Sequence, residues 1–168
     1  ALTKDAHSDA KVLYEKAGPL LDKMVETIYS DTQAKLEKAG INEITLYRGM
    51  NWNHRDVPVD IHGEIARGGN GIGTTVTLTS NPVSSYSGSY ATAKGFASSN
   101  EYQSVSATVV KREGIFSTAV SGIGCLDEAE FLVVGHDRHA ISFISTTTEP
   151  DHNGLPDDLN EFVRIFGR

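Results

Sequence analysis

Gly124-Cys125-Leu126-Asp127-Glu128-Ala129-Glu130-Phe131-Leu132-Val133-Val134 sets an acidic, turn-rich stretch directly before an apolar run. The segment from Ala129 to Val134 reads as a strand. Side chains alternate along a strand with period two, so Glu128 and Glu130 are expected on one side. Asp127, Glu128 and Glu130 repel one another unless they are solvated or meet something cationic. A carboxylate pair of this kind can stabilise positive charge that develops during a reaction, or orient a cationic group. The plainer alternative is two solvated acids on the exposed face of an edge strand.

Upstream of this segment, residues 3–39 read as helical. Val12, Leu13, Leu20, Leu21, Met24, Val25, Ile28, Tyr29 and Leu36 recur at three- and four-residue spacings. Gly18-Pro19 is expected to break the run, with Pro19 opening a second helix and Gly40 ending it. Ile44 to Met50 reads as a strand running into a turn. Gly63 to Thr75 holds five glycines and reads as an irregular loop. Val76 to Ser80 reads as a short strand and Ser84 to Ser89 as a loop. Tyr90 to Ser98 reads as a short helix with Ala93, Phe96 and Ala97 inward. Ser104 to Lys111, Gly114 to Val120, Ala140 to Ser145 and Phe162 to Phe166 are further strand candidates. Helices followed by a strand-rich body indicate one α+β domain. Its expected core is Leu13, Val25, Ile28, Leu36, Ile44, Leu46, Val105, Val109, Phe131, Val133, Ile141 and Phe143.

The 168 residues suffice for a single core, and 39% hydrophobic against 22% charged content is that of a folded, soluble chain. No apolar run approaches the length of a membrane span. The formal charge of −7 and the lack of a basic patch with interleaved aromatics argue against nucleic acid as a partner. Cys125 is the only cysteine, so there is no internal disulfide. The histidines show no spacing suited to a helical zinc site, and no metal is expected. The chain opens on Ala1 without an initiator Met, as expected of a processed product or of a domain from a longer protein.

Arg48 ends an apolar strand and precedes Gly49. An arginine so placed can reach an anion, while the glycine lets a ligand approach the backbone. Thr79-Ser80 offers hydroxyls where a strand meets a turn. The glycine-rich loop lacks the Gly-Lys-Ser/Thr ending of a phosphate-binding loop and precedes a strand instead of following one. His54, His62, His136 and His139 lie in polar stretches and read as surface residues. Cys125, so close to carboxylates, is disfavoured as a thiolate nucleophile.

Taken in order, Leu46-Tyr47-Arg48-Gly49, Leu78-Thr79-Ser80 and Glu128-Ala129-Glu130-Phe131-Leu132 resemble the Arg / Ser-Thr-Ser / Glu-x-Glu signature of the arginine-specific mono-ADP-ribosyltransferases. The resemblance covers about Ile44 to Phe143. It implies an ADP-ribosyltransferase-like fold, with two packed, mainly antiparallel sheets around an NAD cleft and helices at the N-terminus. It also implies NAD as a consumed substrate, an arginine-bearing target protein as partner, and a monomeric catalytic domain. By position, Arg48 is similar to the arginine that grips the NAD phosphates. Gly49 is similar to the residue whose backbone holds the nicotinamide amide. Thr79 and Ser80 match the last two residues of Ser-Thr-Ser, with Leu78 in the place of the first. Glu130 matches the catalytic glutamate and Glu128 the one that confers arginine preference. Tyr86 or Tyr90 is expected to supply a ring over the nicotinamide. Ser117 to Asp127 resembles the double turn that recognises the target. The setting implied is a toxin or effector domain acting in another cell's cytosol, or a phage enzyme in its bacterial host.

Overall fold

The computed structural model describes residues 4–52, 74–78, 81–97, 102–135 and 139–144. The chain begins with one helix, α1 (Lys4–Lys38), followed by β1 (Glu43–Trp52), β2 (Thr74–Leu78) and β3 (Val83–Ser87). A short helix, α2 (Tyr90–Phe96), precedes β4 (Tyr102–Lys111), β5 (Ile115–Thr118), β6 (Glu130–Val134) and β7 (His139–Ile144). The glycine-rich loop apart from its last two residues, and the strand expected over 162–166, lie outside the described residues.

The seven strands form one antiparallel sheet in the order β2-β7-β4-β1-β3-β6-β5. Its ladder is uneven. β1 and β4 pair along their whole length, from Glu43↔Lys111 to Trp52↔Tyr102. β1 and β3 share the single pair Tyr47↔Ser87. Two sheets were expected; the strands instead hydrogen-bond through one sheet that narrows to a single pair at this junction.

α1 runs through Gly18-Pro19 without a break, against the expectation of two helices. Pro19 has no N–H for the carbonyl one turn back. Residues 11–16 are exposed, so water can serve that carbonyl, and both flanks continue a helical pattern. The helix ends as expected at Gly40, whose φ of 74° few other residues adopt. Ile41 N–H bonds the Leu36 carbonyl and Gly40 N–H that of Glu37, a Schellman arrangement.

Alternation along β1 sends residues to two cores. Ile44 and Leu46 join Leu36, Tyr86, Val110, Ile115, Phe131 and Val133 beneath the C-terminal half of α1. Tyr47 joins Tyr90, Ala93, Ala97 and Val105 beneath α2. Three expected core residues, Leu13, Val25 and Val109, are instead exposed. Leu13 and Val25 lie on the part of α1 that precedes its packing against β5; Val109 shares a face of β4 with the buried Val105 but lies outside the cluster beneath α2. Phe96, expected inward, is 52% exposed, because Ala93 and Ala97 make the contact of α2 with β1.

Gly49 sets how closely α2 approaches β1. A Cβ there would overlap the Ala93 carbonyl oxygen and lie 2.9 Å from both Ala97 N and Phe96 Cβ. Two of these are backbone atoms of α2 and cannot rotate away. Gly49→Ala is expected to destabilise the fold by about 3 kcal/mol, the upper part of the overpacking range. Urea unfolding of the two proteins measures it, and a difference under about 1 kcal/mol would show that α2 shifts freely.

Candidate active site

Where β1 and β3 part, a cleft of about 350 Å³ opens. One wall is Tyr47, Arg48 and Gly49 of β1; the other is Ser85, Tyr86 and Ser87 of β3. Glu128 and Glu130 close one side, and Ala93 and Phe96 of α2 another. The sheet junction therefore gathers Arg48, Gly49, Tyr86, Glu128 and Glu130, which lie far apart in sequence.

Glu130 begins β6 opposite Ser87. Both of its carboxylate oxygens are held. Ser85 Oγ donates to Oε1 at 2.5 Å, and the Cys125 amide donates to Oε2 at 2.7 Å. The Glu130 N–H returns a bond to the Cys125 carbonyl at 3.2 Å. A carboxylate with two fixed donors is oriented before any ligand arrives.

Glu128 reaches the cleft by a different route from the one expected. It does not share a strand with Glu130; it closes a 3-10 turn, Leu126–Glu128. Ala129 follows in the left-handed region, with φ 46° and ψ 47°. Both acids face the cleft because this residue turns the chain, not because of period-two alternation. Three bonds to β3 and its end fix the turn. Ser87 Oγ donates to the Glu128 carbonyl at 2.7 Å, Gly88 N–H to the Ala129 carbonyl at 3.0 Å, and Ser85 to the Glu130 side chain.

Arg48 lies with its guanidinium carbon 5.6 Å from the centre of the Tyr86 ring. It has no carboxylate partner among the described residues. A guanidinium supported by a ring face leaves its N–H fork free for an anion. Tyr90 does not reach the cleft. It is 2% exposed and meets Tyr47 edge-on, with ring centres 5.7 Å apart, as part of the core beneath α2. Gly49 lacks a Cβ chiefly to admit α2, a reason other than ligand approach.

Thr79 and Ser80 lie outside the described residues. β2, which leads into them, is the edge strand beyond β7, and Leu78 pairs with His139 there. The hydroxyl that meets Glu130 belongs to Ser85, on a segment expected to be a loop. Its strand phase was legible in outline: Ser85 and Ser87 alternate with Ser84 and Tyr86. The apolar content that usually reveals a strand was missing.

No helix among the described residues is long and apolar enough to cross a membrane. Among the same residues, no cluster of three or more His, Cys, Asp or Glu could hold a metal ion. No family model, curated protein or solved structure matches the chain.

Paired substitutions test the turn between the two acids. Ala129 is buried in a conformation that a β-branched residue rarely adopts. Ala129→Val is expected to cost about 2–3 kcal/mol. Ala129→Gly should stay within about 1 kcal/mol of the parent, since relief at positive φ offsets the lost methyl and the added chain entropy. Denaturant melts of both variants check the order; equal losses would make packing, not backbone conformation, the constraint.

Proposed function

We propose that the chain is a mono-ADP-ribosyltransferase that moves ADP-ribose from NAD to an arginine of a target protein and releases nicotinamide. One observation carries the reading: Glu130, held on both oxygens by Ser85 and Cys125, shares a cleft with Arg48, which has no carboxylate partner among the described residues. Such a cleft suits a ligand with an anionic part at Arg48 and a centre of growing positive charge at Glu130. A dinucleotide losing nicotinamide is of that kind.

Cleavage of the bond between the nicotinamide nitrogen and ribose C1′ leaves positive charge on the ribose, as at other glycosidic centres. Glu130 would stabilise that charge, and Arg48 would hold the phosphates. A guanidinium nitrogen of the target then bonds to C1′ and its proton passes to Glu128, while the nicotinamide departs neutral. Glu128 suits this step because its side chain has no hydrogen-bond partner among the described residues. The resemblance also becomes more complete when Ser85-Tyr86-Ser87 takes the part of Ser-Thr-Ser. The hydroxyl missing at Leu78 is then supplied by Ser85, which meets Glu130 directly. The setting proposed is the cytosol of a target or host cell, reached as a toxin or effector, or the bacterial cytoplasm for a phage enzyme. The single exposed thiol of Cys125 suits a reducing compartment.

Glu130→Gln is expected to abolish nicotinamide release while the unfolding midpoint stays near that of the parent. Retention of most turnover would remove Glu130 from the chemistry. Glu128→Gln should lose labelled ADP-ribose transfer to agmatine but keep a measurable share of NAD hydrolysis, because an amide cannot accept both guanidinium donors. Parallel loss of both signals would give Glu128 a direct part in NAD cleavage. A parent that hydrolyses NAD equally with and without an arginine acceptor would instead be a glycohydrolase.

Arg48→Ala is expected to weaken NAD binding about 10- to 100-fold, the size of a charge-assisted contact. Arg48→Lys should recover part of it, keeping the charge without the fork. Calorimetric titration reads both, and unchanged affinity in Arg48→Ala would place the phosphates elsewhere.

A further inference from the structure

The loop between β5 and β6 carries Glu128 and leads directly into Glu130, and its far side rests on α1. Ile28, Thr32 and Lys35 lie on one face of α1, at helical spacing. They meet three successive loop residues in reverse order. Lys35 Nζ donates to the Val120 carbonyl at 2.9 Å, steadied by Asp31 at 3.0 Å. Thr32 Oγ1 and Ser121 Oγ are 2.7 Å apart. Gly122 lies so close to Ile28 that a Cβ would come within 2.6 Å of Ile28 Cγ2.

Ser121 is the centre of this contact. Its Oγ lies 2.7 Å from Thr118 Oγ1 and from Thr32 Oγ1, and accepts from the Thr118 amide at 3.2 Å. A serine hydroxyl has one proton and two lone pairs, so all three bonds are in use. Thr32, Thr118 and Ser121 are all buried, with Thr32 fully so. A saturated, water-excluded hydroxyl cluster holds its members together, since loss of any one leaves buried polar atoms unpaired.

The two acids depend on this anchorage unequally. Glu130 keeps a tie to β3 through Ser85 that does not involve α1, while its other oxygen is bonded from within the loop by Cys125. The Glu128 side chain has no such tie among the described residues, β3 bonding only its carbonyl, and the neighbouring Ile123 and Leu126 are exposed large apolar residues on the same loop. We propose that Thr32, Thr118 and Ser121 form a positioning cluster that uses α1 to hold the 119–129 loop, and so favours acceptor transfer over hydrolysis. The catalytic half of this inference rests on the function proposed above.

Thr32→Val removes the hydroxyl at nearly constant volume, and Thr32→Ser keeps it. Thr32→Val is expected to lower ADP-ribose transfer to agmatine about tenfold while nicotinamide release without acceptor changes by less than about twofold. Thr32→Ser should retain transfer. In the same proteins, amide exchange over 119–123 should rise about tenfold in Thr32→Val alone, with β1 unchanged. Lys35→Met, which leaves the buried cluster intact, should show the same order at smaller size and serves if Thr32→Val does not fold. Equal loss of transfer and hydrolysis, unaltered loop exchange, or a Thr32→Ser that behaves as Thr32→Val would each overturn the proposal. A parent without NAD turnover would defeat the proposed function, and the exchange measurement would still decide whether the cluster holds the loop.

Discussion

A single strand pair, Tyr47↔Ser87, joins the two halves of the sheet, and the cleft exists because the ladder stops there. Strands that continued to pair would bring β1 and β3 within hydrogen-bonding distance, and the space between them would close. The junction is kept open and yet fixed by contacts other than the ladder. α2 lies against β1 at Gly49, with its first turn capped by Ser89, whose Oγ accepts from Thr92 N–H. Asn51 Nδ2 donates to the carbonyl of Phe96 and so holds the other end of α2. On the opposite side, Ser85, Ser87 and Gly88 bind the turn that carries the acids. The cleft is thus a gap in a sheet, with a helix and a turn as its braces.

This arrangement explains why the serines of β3 are where they are. Ser87 bonds backbone in both directions, accepting from Ser89 N–H and donating to the Glu128 carbonyl. Ser85 bonds the Glu130 side chain. A strand of bulky β-branched residues would fit the pleat better but would supply none of these donors. The local preference of the segment is weakened in favour of the site, a conflict that commonly marks functional positions.

The same conflict decides what could be read from the sequence. β1 and β4 were legible because apolar residues alternate along them over many positions. α1 was legible as helix, but its Gly18-Pro19 step was not, because an exposed helix can lose one internal hydrogen bond to water without ending. The acids were recognisable as a pair. Their geometry was not, since the left-handed Ala129 is invisible to a periodicity argument. Ser85 lies in a serine-rich run whose strand character apolar residues do not mark, whereas residues 79–80 end a recognisable strand. Tyr86 and Tyr90 looked equivalent by type. Only packing separates them: one supports Arg48 at the cleft, the other fills the core with Tyr47.

Charge closes the argument about what such a cleft can hold. Among its described lining residues there is one cation, Arg48, and two carboxylates, Glu128 and Glu130. A purely anionic ligand would gain at Arg48 and be repelled by the acids, and a chain of formal charge −7 offers little wider attraction. A purely cationic ligand would meet the reverse. The arrangement suits a molecule whose charge is divided; under the proposed function that is a dinucleotide with phosphate at one end and a cationic ring at the other, which the acids would favour more as the ring leaves and the charge moves to the sugar. Glu130 needs no rearrangement to respond, because Ser85 and Cys125 already hold both oxygens. Under the proposed function Glu128 would be left to meet the second cation, the acceptor, and the two acids that sit two residues apart would act on opposite partners of one bond exchange.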